Sequence, residues 1–207
     1  MTTDDDKKAN QLRKAAARYD RGAVAIRLVP NRGRDIGPLL TALADEITQR
    51  FDIIGHMHGK RTLVVDAAIG DVWREFLWQN LLGGAHPMID EILGRFAEDE
   101  QLGLVFPSDP HLCDWDANRP IAEKLARRIG ITETLPPFFE FPIGTMFWAR
   151  VGALKPLFDL RLGWDDYPPE PVPYDGTILH TIERLLPFSA HQSGYRSAAT
   201  HIPGVTR

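Results

Sequence analysis

The chain of 207 residues sets 24 Lys and Arg against 28 Asp and Glu, for a net charge of −4, with 43% hydrophobic and 25% charged residues. That is the make-up of an ordinary soluble globule long enough for one well-buried domain spanning residues 1–207, and its acidity excludes a protein that binds mainly by neutralising a nucleic-acid backbone. With Cys113 as the only cysteine, neither a disulfide framework nor a cysteine zinc site is available; the acidic opening and the lack of a long apolar run predict a cytoplasmic protein without signal peptide or spanning segment.

Leu12, Ala15, Ala16 and Tyr19 recur at helical spacing and predict a first helix over Lys8 to Tyr19. Ala23 to Val29 alternates, with Val24, Ile26 and Leu28 on one side, and predicts a strand that ends at Pro30. Pro38 suits the first turn of a second helix, whose apolar face is Leu39, Leu40, Leu43, Ile47 and Phe51. Ile53 and Ile54 predict a short strand that delivers His56 and His58 to its end on one side. Helices follow over Asp71 to Leu82, stopped by Gly83-Gly84, and around Ile89, Ile92, Leu93 and Phe96. Leu102 to Phe106 reads as a buried strand, Ile121 to Ile129 as a helix, and Phe141 to Arg150 as a strand leading to a short helix at Leu154 to Phe158. After the loop Y-P-P-E-P-V-P, Asp175 suits the N-cap of a final helix, with Ile178, Leu179, Ile182, Leu185 and Leu186 buried and Thr177, His180 and Arg184 turned outward. Ser189 to Arg207 is polar with little periodicity and reads as a loose tail. The alternation of helices and strands predicts an α/β fold, a mainly parallel sheet with helices on both faces.

Two polar clusters fall at strand ends: Asn31, Arg32, Arg34 and Asp35 after the first strand, and His56, His58, Lys60 and Arg61 after the second. The crevice beyond the carboxyl ends of strands is where open α/β sheets bind ligands. Turn formation alone accounts for Asn31 and Gly33 but leaves Arg34-Asp35 unexplained.

The ordered set N-R-G-R-D-I-G-P at Asn31 to Pro38, H-x-H-x-K-R-T at His56 to Thr62, W-R-E-F-L at Trp73 to Leu77, L-G-L-V-F-P at Leu102 to Pro107, G-T-M-F-W-A-R at Gly144 to Arg150 and D-G-T-I-L-H-T-I-E-R at Asp175 to Arg184 resembles the rhamnan synthesis protein F family. The resemblance implies a glycosyltransferase with a GT-A type nucleotide-sugar fold that moves a rhamnose-like sugar onto a growing cell-wall or O-antigen polysaccharide. It implies as partners a nucleotide-sugar donor and a glycan or lipid-linked glycan acceptor, with peripheral association at the inner membrane face. Similar proteins carry more chain before the first helix, so the resemblance also implies an N-terminally incomplete fold that lacks the opening strand and helix of this half.

Transfer from a nucleoside diphosphate needs charge balance on the leaving phosphates and a base for the acceptor hydroxyl. Where GT-A enzymes carry an Asp-x-Asp metal pair, this sequence has His56-Met57-His58 followed by Lys60-Arg61. Either His56 and His58 hold a divalent cation, or Lys60 and Arg61 balance the diphosphate without one, or the two histidines are merely buried and hydrogen-bonded. The second reading is preferred, because Mg²⁺ is poorly served by imidazole, and no cofactor is then required. Asn31, Arg34, Asp35, His58, Lys60, Arg61 and Arg150 are the substrate-binding candidates. Asp175 is the leading catalytic carboxylate, with His180 and Glu183 nearby and Glu170 and Asp166 as the fallback carboxylates. Its plainer role is that of a helix cap, and Glu183-Arg184 reads as a solvated pair. Two other functions stay open: a non-catalytic or incomplete domain that binds sugar nucleotide or a partner, and a metal-dependent hydrolase built on His56, His58 and His180, for which no carboxylate spacing speaks.

Overall fold

The computed structural model describes residues 1–59 and 67–206. Near the amino end, β1 (Thr2–Thr3) pairs in parallel with β2 (Arg27–Leu28), and between them α1 (Asp6–Ala16) starts where Asp5 accepts the Lys8 amide at 3.0 Å. The expected strand over Ala23 to Val29 is thus realised only at its end, and outside the main sheet. Val24 and Leu28 stay exposed. A π-helical turn at Pro38–Ala42 leads into α2 (Ala44–Arg50), and β3 (Ile53–His56) follows.

The remaining elements are α3 (Ala67–Leu81), α4 (Met88–Glu98), β4 (Leu102–Pro107), α5 (Arg119–Arg128), β5 (Phe147–Arg150), α6 (Lys155–Phe158), α7 (Ile178–Gln192) and β6 (Arg196–Thr200). The main sheet has the order β3-β5-β4-β6. It is mixed, where a mainly parallel one was expected: β5 runs antiparallel to both β3 and β4, and β4 pairs in parallel with β6. The reason lies in the connection after β4. Helix α5 and the return through residues 129–146 bring the chain back to the edge where β4 ended, so β5 enters from the opposite direction between its neighbours.

Strand alternation divides the apolar residues between two faces. Leu104 and Phe106 of β4 and Phe147 and Ala149 of β5 join a core with residues of α2, α5, α6 and α7. Val105, with Met146 just before β5, faces the other way, onto Phe76, Leu77 and Leu81 of α3 and Ile92 and Phe96 of α4, and Leu102 joins them because the register of β4 shifts between Leu102 and Leu104. Helices therefore cover both faces, as expected.

Three further readings change. The strand expected over Phe141 to Arg150 forms only from Phe147, since Gly144 and Thr145 have φ of 81° and 55°, which no strand accepts. Thr177, not Asp175, occupies the N-cap position of α7, and the helix has no wet face of the expected kind: Thr177 and Arg184 are buried. The segment from Ser189 onward is not loose, because it completes α7 and then adds β6 to the edge of the sheet. Among the described residues no helix is long and apolar enough to cross a membrane.

Given these directions, β3, β4 and β6 all end at the edge where β5 begins. The His56 and Gly144-Thr145 segments therefore meet there.

Candidate functional site

The loop N-R-G-R-D-I-G-P is held by close backbone approach. Gly33 has φ 77°, and a Cβ on it would lie 2.8 Å from the Gly37 Cα and 3.0 Å from the Tyr167 ring; one on Gly37 would lie 2.9 Å from the Trp164 ring. Arg32 reinforces the seam by donating to the Tyr167 carbonyl and the Asp165 carboxylate, each at 2.8 Å. Arg34 follows Gly33 in the left-handed region at φ 48°. A second left-handed pair, Gly144 and Thr145, lies just before β5, and such conformations in a β-branched residue persist only where surrounding contacts enforce them.

Those contacts come from the site itself. His56 Nδ1 donates to the Thr145 carbonyl and His58 Nε2 to the Gly144 carbonyl, both at 2.6 Å. From the α7 side, Glu183 Oε1 accepts the Gly144 amide at 2.7 Å and the Thr145 hydroxyl at 3.3 Å. The turn is thus held by side chains from β3, the loop after it, and α7. Burial depresses the His56 pKa, an effect the Asp35 carboxylate only partly offsets. Burial pushes the Glu183 carboxyl up to about 7, against the pull of Arg184 and with the push of Asp35.

On the other flank, Arg34 donates to His180 Nε2 at 3.2 Å and to the Val172 carbonyl at 3.3 Å. With Nε2 accepting, His180 Nδ1 carries the proton toward the Thr177 hydroxyl at 2.9 Å, and burial together with Arg34 lowers its pKa. Asp175 Oδ1 accepts from the Asn118 side chain at 2.6 Å and Oδ2 from the Ala117 amide at 3.2 Å. Burial works to raise the Asp175 carboxyl, yet the Asn118 hydrogen bond and Arg184 hold it below its ordinary value. Arg184 is itself buried, 3.7 Å from Asp175 and 3.9 Å from Glu183, and stacked 4.9 Å from the Phe141 ring centroid. Glu183 and Arg184 are therefore no solvated pair. Asp35 acts electrostatically on His56, His180 and Glu183, which places it between the two flanks.

Of the residues singled out in the sequence, Arg34, Asp35, His56, His58, Asp175 and His180 thus belong to one connected network. Asn31 is exposed at the loop tip. Glu170 turns Oε2 onto the Val172 amide at 3.0 Å, and Asp166 closes its own turn on the Gly163 amide at 2.7 Å. Arg150 lies elsewhere: it donates to the carbonyls of Leu102, Phe96 and Asp99 at the end of α4 and stacks on Phe96. Lys60 and Arg61 lie outside the described residues. Among the described residues no three His, Cys, Asp or Glu side chains are grouped to hold a metal ion. Sequence reasoning placed Glu183 near Asp175 but read it as half of a solvated pair, and it missed Gly144-Thr145 and Asn118 as parts of the site. The Gly-Thr dipeptide ahead of an aromatic strand was the one available signal.

Besides Asn118 Oδ1 and Glu170 Oε1, two more acceptors of this region are left over. Asp35 Oδ2 and His58 Nδ1 are buried and receive no hydrogen bond among the described residues. His58 Nε2 donates to Gly144, and in the tautomer with that single proton Nδ1 is a bare lone pair. Buried polar atoms without partners are costly, and a ligand rich in donors would satisfy these two.

The family described as rhamnan synthesis protein F matches residues 1–195. Two proteins, each named "Uncharacterized protein WxcX", from Xanthomonas campestris pv. campestris strains B100 and ATCC 33913, are 32% identical over 169 residues, which cover 80% of this chain and 24% of theirs. The chain spans about a quarter of the length of these curated relatives. No solved structure matches it. On the match over residues 1–195, the chain belongs to the rhamnan synthesis protein F family.

Proposed function

We propose that this chain carries the sugar-nucleotide site of a GT-A type glycosyltransferase that moves a rhamnose-like sugar onto a cell-surface polysaccharide, acting in the cytoplasm at the membrane face on a glycan or lipid-linked glycan. The family name supports polysaccharide synthesis as the setting. The observation that carries the reading is that Asp35 Oδ2 and His58 Nδ1 are buried acceptors with no partner among the described residues, with the cation Arg34 next to Asp35 in the chain. Bare acceptors favour hydroxyl groups and disfavour an anion, so they suit the sugar. The diphosphate falls to Arg34 and to Lys60 and Arg61 of the H-x-H-x-K-R-T motif.

Calorimetric titration of a nucleoside diphosphate and of the matching nucleotide sugar separates these roles. Asp35→Asn weakens the nucleotide sugar and leaves the bare diphosphate unchanged, because only the sugar meets the carboxylate. Equal weakening of both ligands would remove Asp35 from the sugar subsite. Tight binding with no turnover of any donor would favour the non-catalytic binding domain instead.

A further inference from the structure

We propose that Glu183 is the catalytic residue that takes the proton of the acceptor hydroxyl, and that Asp175, the carboxylate its motif position favours, is a positioning residue that fixes the start of α7. The assignment rests on the transferase reading above.

The two carboxylates differ in what their oxygens are doing. Asp175 has both engaged, Oδ1 with Asn118 at 2.6 Å and Arg184 at 3.7 Å, Oδ2 with the Ala117 amide at 3.2 Å. A carboxylate so satisfied, and held below its ordinary pKa, is a poor proton acceptor. Glu183 is anchored through one oxygen only. Its Oε1 receives the Gly144 amide and the Thr145 hydroxyl, while Oε2 receives no hydrogen bond among the described residues and has Arg184 Nη1 3.9 Å away. The side chain is thereby aimed, yet one oxygen stays available. Glu170 does not compete, since its Oε2 is bound within its own proline-rich loop and its Oε1 is buried.

The surroundings tune this group for the task. Facing it are Arg184 on its own helix and Asp35 from the loop after β2, with His56 and His58 across the Gly144-Thr145 turn and His180 one turn back on α7. Burial, with Asp35 adding to it, brings the carboxyl to about 7, where a base combines availability with proton affinity at neutral pH. The step balances as follows. The acceptor oxygen forms a bond to the anomeric carbon as the bond from that carbon to the diphosphate oxygen breaks. The nucleoside diphosphate leaves with the electron pair, and the hydroxyl proton passes to Glu183 Oε2. A single displacement of this kind inverts the anomeric centre.

The test follows nucleoside diphosphate release by the purified chain from a panel of nucleoside-diphosphate hexoses and 6-deoxyhexoses, with an oligosaccharide or water as acceptor. The wild type shows an acid limb in kcat/KM with its midpoint near 7. Glu183→Gln lowers kcat by about a hundredfold or more with donor KM nearly constant, and Glu183→Asp restores part of the rate. Asp175→Asn lowers Tm but keeps the midpoint of the acid limb. The assignment is overturned if Glu183→Gln turns over within about threefold of wild type, if Asp175→Asn abolishes turnover at unchanged Tm, or if the product retains its anomeric configuration. A wild type that releases no diphosphate from any donor defeats the transferase reading itself, which separates that failure from failure at Glu183 alone. Should Glu183→Gln fold poorly, the pH profile of Glu183→Asp decides, since an unshifted acid limb there also removes Glu183.

Discussion

The Nε2 of His58 lies 2.6 Å from the carbonyl oxygen of Gly144, whose own amide is taken by Glu183 at 2.7 Å. A single left-handed glycine thus has both backbone polar groups held by titratable side chains from two distant stretches of sequence. Its conformation and the site are one object. In Gly144→Ala the new Cβ meets Leu77 Cδ1 at 3.1 Å at a φ of 81°, and the strain costs about 1 to 2 kcal/mol. Chemical denaturation is expected to show that loss, together with weaker nucleotide-sugar binding because Glu183 and His58 lose their common anchor. Unchanged binding in a measurably destabilised variant would separate the turn from the site.

A second prediction concerns stability against pH. The folded Glu183 carboxyl titrates at about 7 against an ordinary value of 4.5, so it binds its proton more tightly when folded. The stability this contributes is fully present below 4.5 and is lost as pH rises through 7, at about 1.4 kcal/mol per pH unit between them. Glu183→Gln carries no such proton, and its Tm therefore gains on wild type across that window. His56 and His180 act with the opposite sign: their depressed values give stability that is present above 6.5 and is lost as pH falls. Wild type should show a flattened profile, and Glu183→Gln a clear rise toward neutrality. Parallel Tm profiles for the two proteins would contradict the burial of a raised carboxyl.

Arg150 is expected to matter for folding only. Its guanidinium serves the Leu102, Phe96 and Asp99 carbonyls at the end of α4, and Arg150→Ala leaves them unserved at a cost of about 2 kcal/mol. Nucleotide affinity should not change. A calorimetric loss of nucleotide binding at intact fold would return Arg150 to the substrate site.

For the diphosphate, the expectation rests on the motif H-x-H-x-K-R-T. Lys60→Ala removes a charge-assisted contact and should weaken nucleoside diphosphate binding by roughly tenfold or more, while a chelator leaves binding in place. Binding that vanishes with chelator and ignores Lys60→Ala would assign the phosphates to a metal.

What the sequence showed best was periodic and buried on one side. The apolar spacing in α3, α4 and α5 and the short runs of β3 and β4 were legible because core burial imposes those periods. Strand β6 was not, since Arg196 to Ala199 are exposed small and polar residues and nothing apolar repeats. Sheet direction was hidden for another reason: it depends on how α5 and the return before β5 travel, which no local pattern encodes. At the site, the strand-end rule found Arg34, Asp35, His56 and His58. Glu183 escaped it because its significance comes from contact with Gly144, 39 residues away. As a helix cap Asp175 misled, because Thr177 takes the N-cap position two residues further on.

The distance in sequence between β4 and β6 bears on how the chain is made. All six residues of β4 are buried, and one of its two edges is closed only by Arg196–Thr200, which follow β4 in the chain only after α5, β5, α6 and α7. Until then a nascent chain holds an apolar strand with an open ladder, the kind of edge that recruits foreign strands. A truncation after Tyr195 would make that transient permanent, and such a fragment should appear in inclusion bodies even though every residue of the polar network is still encoded in it.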